Sequence, residues 1–261
     1  MNRRMLMVAA AATLAVLGVA ACGGGSGDGS GASEPLKIGT EGTYAPFTYH
    51  DKATNKLTGY DIEVAAAVAQ KLGRPVEYSE NTFDSIFAGL EAKRYDVVAN
   101  QISVTPEREA KYAFSQPYTI STGVVVTRAD DTSVQSASDI RGKKSAQSAT
   151  SNWAEAARTG GAKVEAVEGF SQAVTLLKQR RVDITINDNL AVLDYLKSSG
   201  DTGVKISAEI GEKTEQAFAF RKDSPLAKQF DQALQQLRAD GTLAKISQKY
   251  FGQDVSGPAA S

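Results

Sequence analysis

Two stretches of this chain, 87 residues apart, carry the same order of residues. Phe83 to Asn100 and Phe170 to Asn187 match at Phe83 and Phe170, Leu90 and Leu177, Arg94 and Arg181, Asp96 and Asp183, and Asn100 and Asn187. Each block reads aromatic residue, helical stripe, basic pair, Asp, apolar strand, Asn. Each is preceded by a helix candidate, a glycine (Gly73 or Gly160) and a strand. A repeated supersecondary unit implies a repeated fold element. We therefore expect two similar α/β lobes rather than one continuous sheet.

Periodicity fills in the rest. Leu36-Lys37-Ile38-Gly39 is a strand candidate, and Ile62, Ala65, Ala69 and Leu72 lie on one helical face that Gly73 ends. Val76 to Ser79 reads as a strand, Asp84 to Ala92 as a helix, and Asp96 to Ala99 as a strand. Such βαβα alternation argues for an α/β fold with a largely parallel sheet. The extended run Gly123 to Thr127 is the expected join between lobes, and Ala217 to Phe220 the return. Two connections make a hinge. Leu226, Phe230, Leu234 and Leu237 stripe one closing helix, and Leu243, Ile246 and Tyr250 a second. The boundaries expected are residues 35–124 plus 217–253 for lobe 1, 125–216 for lobe 2, and 254–261 for a frayed, disordered tail.

Residues 1–21 read as a secretory signal, with Arg3 and Arg4 before an apolar run that is short for a bilayer span. It ends at Val19-Ala20-Ala21-Cys22, which resembles a bacterial lipobox. That resemblance implies a signal peptide cut before Cys22 and acylation of the cysteine, with palmitate or a similar chain as membrane anchor. An ordinary signal peptide with an incidental cysteine is the alternative. Residues 22–34 carry the anchor and a Gly/Ser-rich tether. Cys22 is the only cysteine, so no internal disulfide is expected, and His50 is the only histidine, which excludes a multi-histidine metal cluster. No metal and no cofactor is expected. Without Arg3 and Arg4 the formal charge moves from −1 to −3, too near neutrality to suggest a nucleic acid or other polyanion.

Four segments then carry a resemblance. Gly59-Tyr60-Asp61-Ile62-Glu63-Val64, followed by an Ala-rich helix, resembles the signature of the family 3 bacterial extracellular solute-binding proteins. Tyr44-Ala45-Pro46-Phe47 resembles the loop after that family's first strand. Ile102 to Arg108 resembles its Ser/Thr…Glu-Arg loop, and Phe114-Ser115-Gln116-Pro117-Tyr118 its Phe-Ser-x-Pro-Tyr turn. The resemblance spans Leu36 to Gly252. It implies a periplasmic-binding-protein-like fold of type II, with two α/β lobes joined by two crossing strands and closing on a small amino acid. It also implies ABC importer membrane subunits as partners and a monomeric receptor rather than an enzyme.

A buried amino acid needs a cation for its carboxylate, an anion for its ammonium and dipoles for the rest. Arg108 can bind both carboxylate oxygens at once. Residue pattern alone leaves it open between this role and a surface arginine at a helix start; the resemblance favours binding. Asp188 follows the strand Val182 to Ile186, and the repeat sets it opposite Gln101. Ligands of open α/β sheets bind beyond the carboxyl ends of the strands, so Gln101 and Asp188 are expected to face each other across the cleft. Asp188 suits the ligand ammonium or a helix N-cap. The resemblance makes Tyr44 and Phe83 the aromatic walls, with Phe83 also readable as core, as Phe170 is. Ser103 is expected near Arg108. Thr150, Ser151 and Asn152 open a helix whose free N–H groups suit an anion, or merely cap it. Glu41 stands where many relatives carry an Asp near an ammonium. Gln147 to Trp153, Ile186 to Asp188 and Ala99 to Ser103 most resemble the cystine/cysteine-binding branch, and cystine has two ammonium groups. Alternatives are a cyclohexadienyl-dehydratase-like enzyme on the same fold, or a ligand-sensing module.

Overall fold

A computed structural model describes residues 33–257. The expected signal peptide, Cys22 and all but the last two residues of the tether lie outside the described residues.

The chain enters lobe 1 as β1 (Leu36–Thr40) and folds a small ribbon from β2 (Thr43–Tyr44), β3 (Thr48–His50) and β4 (Leu57–Thr58). It continues through α1 (Tyr60–Lys71), β5 (Val76–Glu80), α2 (Phe83–Glu91), β6 (Val97–Val98), α3 (Pro106–Glu109) and β7 (Tyr112–Phe114). The long β8 (Thr119–Arg128) leads into lobe 2, made of a 3-10 turn (Ala137–Ile140), β9 (Lys144–Gln147), α4 (Asn152–Thr159), β10 (Lys163–Ala166), α5 (Phe170–Lys178), β11 (Thr185–Asp188), α6 (Asn189–Ser199) and β12 (Val204–Gln216). β13 (Ala219–Arg221) returns to lobe 1, which α7 (Leu226–Ala239) and α8 (Thr242–Phe251) cover.

Lobe 1 has the sheet order β5-β1-β6-β13-β7. Lobe 2 has β10-β9 and β11-β8-β12, and a parallel bridge from Ser145 to Ile184 links the two pieces in the same spatial order. In both, three parallel strands are followed by an antiparallel one, β13 or β8. The sheets are thus mixed rather than largely parallel, because the strand arriving from the other lobe must run against its neighbours.

The matched residues do matched jobs. Lys93 and Arg180 both end their helices in the left-handed region, at φ 58° and 59°. The N–H of Asp96 donates to the Lys37 carbonyl at 2.8 Å, and the N–H of Asp183 to the Lys144 carbonyl at 2.9 Å. Each Asp carboxylate accepts the same lysine's N–H in return, at 3.4 Å and 2.9 Å. The repeated Asp therefore fixes the register between the first and third strand of each lobe.

The crossings fall elsewhere than the sequence suggests. Gly123 to Thr127 lies inside the lobe 2 sheet, where Gly123 pairs with Asp188 and Val126 with Thr185. The two-stranded bridge is Thr119 to Thr122 against Lys213 to Gln216, set off from the rest by an irregularity between Ile210 and Lys213. On the return, Ala219 is already paired with Val98. β-branched runs mark extended backbone, and a bridging strand and a sheet strand look alike in that respect. An aromatic column stiffens the lobe 1 end of the crossing. Tyr118 stacks on Phe218 at 4.4 Å, and Phe230 meets Phe218 and Phe220 edge-on at 5.1 and 4.9 Å. All four are fully buried, worth about 1.5–3 kcal/mol each.

The expected frayed tail from residue 254 is not frayed at its start. Val255 and Ser256 are buried, and the Ile120 N–H of the bridge donates to the Val255 carbonyl at 2.8 Å. The Arg238 guanidinium donates to the carbonyls of Ser256, Gly257 and Pro117. A Gly/Pro/Ala/Ser composition has little to bury, but backbone carbonyls suffice to hold it when a neighbouring helix supplies an arginine.

Candidate functional site

A narrow cleft with a cavity volume of about 50 Å³ lies between the lobes. Its walls come from the carboxyl ends of the parallel strands, as expected for open α/β sheets. Glu41 follows β1, Asn100 and Gln101 follow β6, Gln147 closes β9 and Asn187 belongs to β11. Tyr44, Phe83, Trp153 and Phe170 supply aromatic surface. Phe170, expected in the core, packs partly on the lobe 2 core yet also lines this cleft.

Glu41 is the one carboxylate in the cleft wall, and no Lys, Arg or His lines it among the described residues. Asn100 holds it in place. The Asn100 Oδ1 accepts the Glu41 N–H at 2.8 Å, and its Nδ2 donates to Glu41 Oε2 at 2.6 Å. Burial pushes the Glu41 carboxyl up to about 7, against the Asn100 bond and helped by the charge of Asp84. Across the cleft, the Tyr44 hydroxyl donates to Asn187 Oδ1 at 2.6 Å. Burial raises the Tyr44 phenol strongly, and the carboxylates of Asp188, Glu41 and Asp61 raise it further. Three carboxylates therefore send their fields to one hydroxyl.

Asp188 does not line the cleft. It is the N-cap of α6, its Oδ1 accepting the Leu190 N–H at 2.9 Å, while the Ser121 hydroxyl donates to its other oxygen. It is 1% exposed, and burial moves its carboxyl up to about 6 against those bonds. Gln101 does line the cleft. Its side-chain amide makes no well-formed hydrogen bond, although it lies close enough to Asp188 to favour that residue's charged form. The expected facing pair is thus a stacked one, with Gln101 toward the cavity and Asp188 beneath.

Arg108 sits behind the aromatic wall. Its guanidinium lies 5.7 Å from the Phe83 ring and 5.5 Å from Phe87, and Nη1 donates to the Ser103 carbonyl at 2.9 Å. Nη2 is buried without a partner, and burial lowers the guanidinium to about 10. Arg108 lines an adjoining cavity with Thr105, Thr150 and Arg158, which shares Ser151 and Asn152 with the main cleft. Arg108 and Asp188 consequently do not line one cavity, and the expectation of a direct grip between those two is corrected: Asp188 is tied to its helix, and the cleft's own carboxylate is Glu41. Ser151 is the N-cap of α4. Thr150 is exposed and points at Asp84 of lobe 1, with Thr150 N–H at 2.9 Å and Oγ1 at 2.7 Å from Asp84 Oδ1. Ser103 contributes its carbonyl to Arg108, and its hydroxyl does not line the cleft.

Residues missed from sequence include Asn100, Gln147, Trp153 and Asn187. The repeat itself could have found two of them, since Asn100 and Asn187 are its matched last positions, at strand ends. Trp153 had a different signal: a Cβ on Gly123 would fall 2.5 Å from its ring, so a glycine across the sheet makes room for it.

Fold and cleft together define a two-lobed binding protein of type II, periplasmic-binding-protein-like. The profile of bacterial extracellular solute-binding proteins, family 3, matches residues 36–253, and the chain belongs to that family. L-cystine-binding protein TcyA of Bacillus subtilis is 55% identical over 222 residues, which cover 85% of this chain and 82% of that protein. The L-cystine solute receptor of Neisseria gonorrhoeae, solved in an unliganded open conformation, is 48% identical with a TM-score of 0.58, covering 86% of this chain and 95% of that one. An ancestral arginine-binding protein bound to arginine is 36% identical with a TM-score of 0.78, covering 84% and 98%.

Proposed function

We propose that this solute-binding protein captures L-cystine outside the cytoplasm and hands it to an ABC importer. The observation that carries the reading is Glu41, a carboxylate held in the cleft wall by Asn100, with no Lys, Arg or His lining the cleft among the described residues. An ammonium placed there turns mutual repulsion among buried carboxylates into attraction. Behind Phe83, the unused Nη2 of Arg108 offers a charge-assisted bond to a carboxylate. A ligand with ammonium and carboxylate at each end uses both regions, and the two cystine-binding relatives point the same way. In this reading Glu41 holds an ammonium group, Arg108 a carboxylate, and Tyr44, Phe83, Gln101, Ser151 and Asn152 complete the site, with Thr150 at its rim; Asp188 acts only through its charge beneath the cleft, and Ser103 only by holding Arg108.

The setting of the lobes supports a closing receptor. The 48% identical open structure superposes less well than the 36% identical bound one, which is the order expected if this chain is arranged as when liganded. Tyr44 to Asn187 and Asp84 to Thr150 are contacts between lobes that an open cleft would break.

Binding without turnover is part of the proposal. The relatives at 55% and 48% identity are a binding protein and a solute receptor, which supports this reading. Cys22 as a lipid anchor, with the folded part acting as a monomer on the outer face of the membrane, completes it. No helix of the described residues is long and apolar enough to cross a membrane. Replacing Cys22 with Ser should release the protein from the membrane fraction.

Calorimetry tests the ligand. Cystine is expected to bind tightly, and glutamine and arginine weakly; the reverse ranking would reject cystine and leave the family membership untouched. Incubation with prephenate-like acids should give no product.

A further inference from the structure

Four non-glycine residues among those described have positive φ. Lys93 and Arg180 end helices, and Asn55 lies in the tight turn between Asp51 and Lys56. Those are ordinary places for the left-handed region. Gln101, at φ 51°, is the exception: it follows strand β6 and lines the cleft. A glutamine enters this region only when its surroundings over-determine it.

Its surroundings supply one conspicuous constraint. The Gln101 N–H donates to Oδ2 of Asp61, forty residues away in the first turn of α1. Asp61 is fully buried, and burial moves its carboxyl up to about 7. It makes no capping bond to its own helix, and its other oxygen has no well-formed partner, although the Tyr118 hydroxyl lies close enough to favour its charged form. Burying a carboxyl this way is unfavourable unless it does something elsewhere. The repeat provides a control. Asp188, the second-lobe counterpart of Gln101, has φ −61° and ψ 133°, ordinary extended backbone, and needs no such support because it caps a helix.

We propose that Asp61 is the positioning residue of the ligand cleft: by accepting the Gln101 N–H it fixes this cleft-lining residue in the left-handed backbone that sets its amide against Asp188. The proposal rests on reading the cleft as the amino-acid site. Without Asp61 the Gln101 N–H is buried and unpaired, and the backbone relaxes by moving Gln101 off its place in the cleft wall above Asp188.

L-cystine is titrated into the wild-type protein and into Asp61→Ala and Asp61→Asn, each alone and combined with Gln101→Gly. Asp61→Ala should weaken binding on the order of tenfold or more. Asp61→Asn keeps an acceptor oxygen in place and should stay within about threefold of wild type. Glycine adopts the left-handed region freely, so adding Asp61→Ala to Gln101→Gly should cost no further affinity. An equal loss in both backgrounds, or Asp61→Asn as poor as Asp61→Ala, overturns the proposal in favour of a general packing role. A wild-type protein that ignores cystine rejects the ligand assignment alone. The same series is then read from unfolding temperatures, where Asp61→Ala should lower the midpoint more with Gln101 present than with Gln101→Gly. Equal shifts overturn the proposal on that measurement too.

Discussion

The two strand ends that the repeat puts in register, Asn100-Gln101 in lobe 1 and Asn187-Asp188 in lobe 2, are finished in opposite ways. In lobe 1 the asparagine is spent on Glu41, through its backbone N–H and its carboxylate, so a carboxylate stands in the cleft wall. In lobe 2 the asparagine accepts the Tyr44 hydroxyl of the other lobe, and the carboxylate behind it is turned away to cap a helix. The scaffold decides where polar groups arrive, at the carboxyl ends of the strands. Which of them meets the ligand directly, and which acts only through its charge, depends on the next residue's backbone and on what else demands its hydrogen bonds.

The sharpest way to break the comparison starts from the cation. Arg108→Ala removes the guanidinium whose Nη2 is unused, and amino-acid binding should fall by roughly 30-fold or more, the about 2–5 kcal/mol expected for losing one side of a buried charge pair. The unfolding temperature should move little, because what the fold loses is a stack on Phe83 and Phe87 worth about 1 kcal/mol and one bond to a carbonyl. Near-native affinity removes Arg108 from the site. Asp188→Asn comes next. Asn caps a helix as well as Asp, so the fold should survive, while loss of the charge under the cleft should weaken binding about tenfold. If affinity is unchanged there and Glu41→Gln abolishes it, the ammonium is held by lobe 1 alone.

Fold and site differed in how far the sequence revealed them. Helices α1, α7 and α8 were legible because their apolar spacing is the spacing of the faces they bury, and the matched Asp96 and Asp183 were legible as a repeat because each performs the same strand-register task. The crossing was misplaced because extended backbone in a bridge and in a sheet draws on the same β-branched residues. Glu41 and Tyr44 line the cleft. Asp188 was found by position, but whether a carboxylate faces a cavity or a helix end is decided by hydrogen bonds to Ser121 and Leu190 that no local pattern encodes. The left-handed turn at Gln101 depends on a residue forty positions away, beyond the reach of any local pattern.

The pH dependence separates the two lobes more gently. The Glu41 carboxyl lies at about 7 in the fold, above its ordinary 4.5. An acid raised in this way favours the unliganded fold below its ordinary value, and that contribution is lost as pH rises through about 7. A ligand ammonium reverses the preference, favouring the ionised form. Affinity should therefore climb with pH, by no more than about tenfold per unit, up to about 7 and then level off, with proton release on binding. Titrations in buffers of different ionisation heat measure that release. Glu41→Gln should remove its own part, and what persists reports Asp61, at about 7, together with Asp188, whose carboxyl lies lower, at about 6.

The smallest effect concerns closure itself. Asp84 of lobe 1 accepts the N–H of Ala149 at 3.2 Å and both N–H and hydroxyl of Thr150, and all three groups are exposed. Bonds between the lobes at an exposed rim add little to the fold, yet they exist only when the lobes are together, so their whole contribution falls on the balance between closed and open states. Apparent affinity scales with the closed fraction. Asp84→Ala should thus weaken binding only about threefold, chiefly through faster release, and enlarge the unliganded protein in small-angle scattering. Thr150→Ala deletes one of the three bonds and should do less. Should it cost more than Asp84→Ala, the Thr150 hydroxyl must reach the ligand itself, and the second lobe would hold a direct contact that its helix-bound Asp188 does not make.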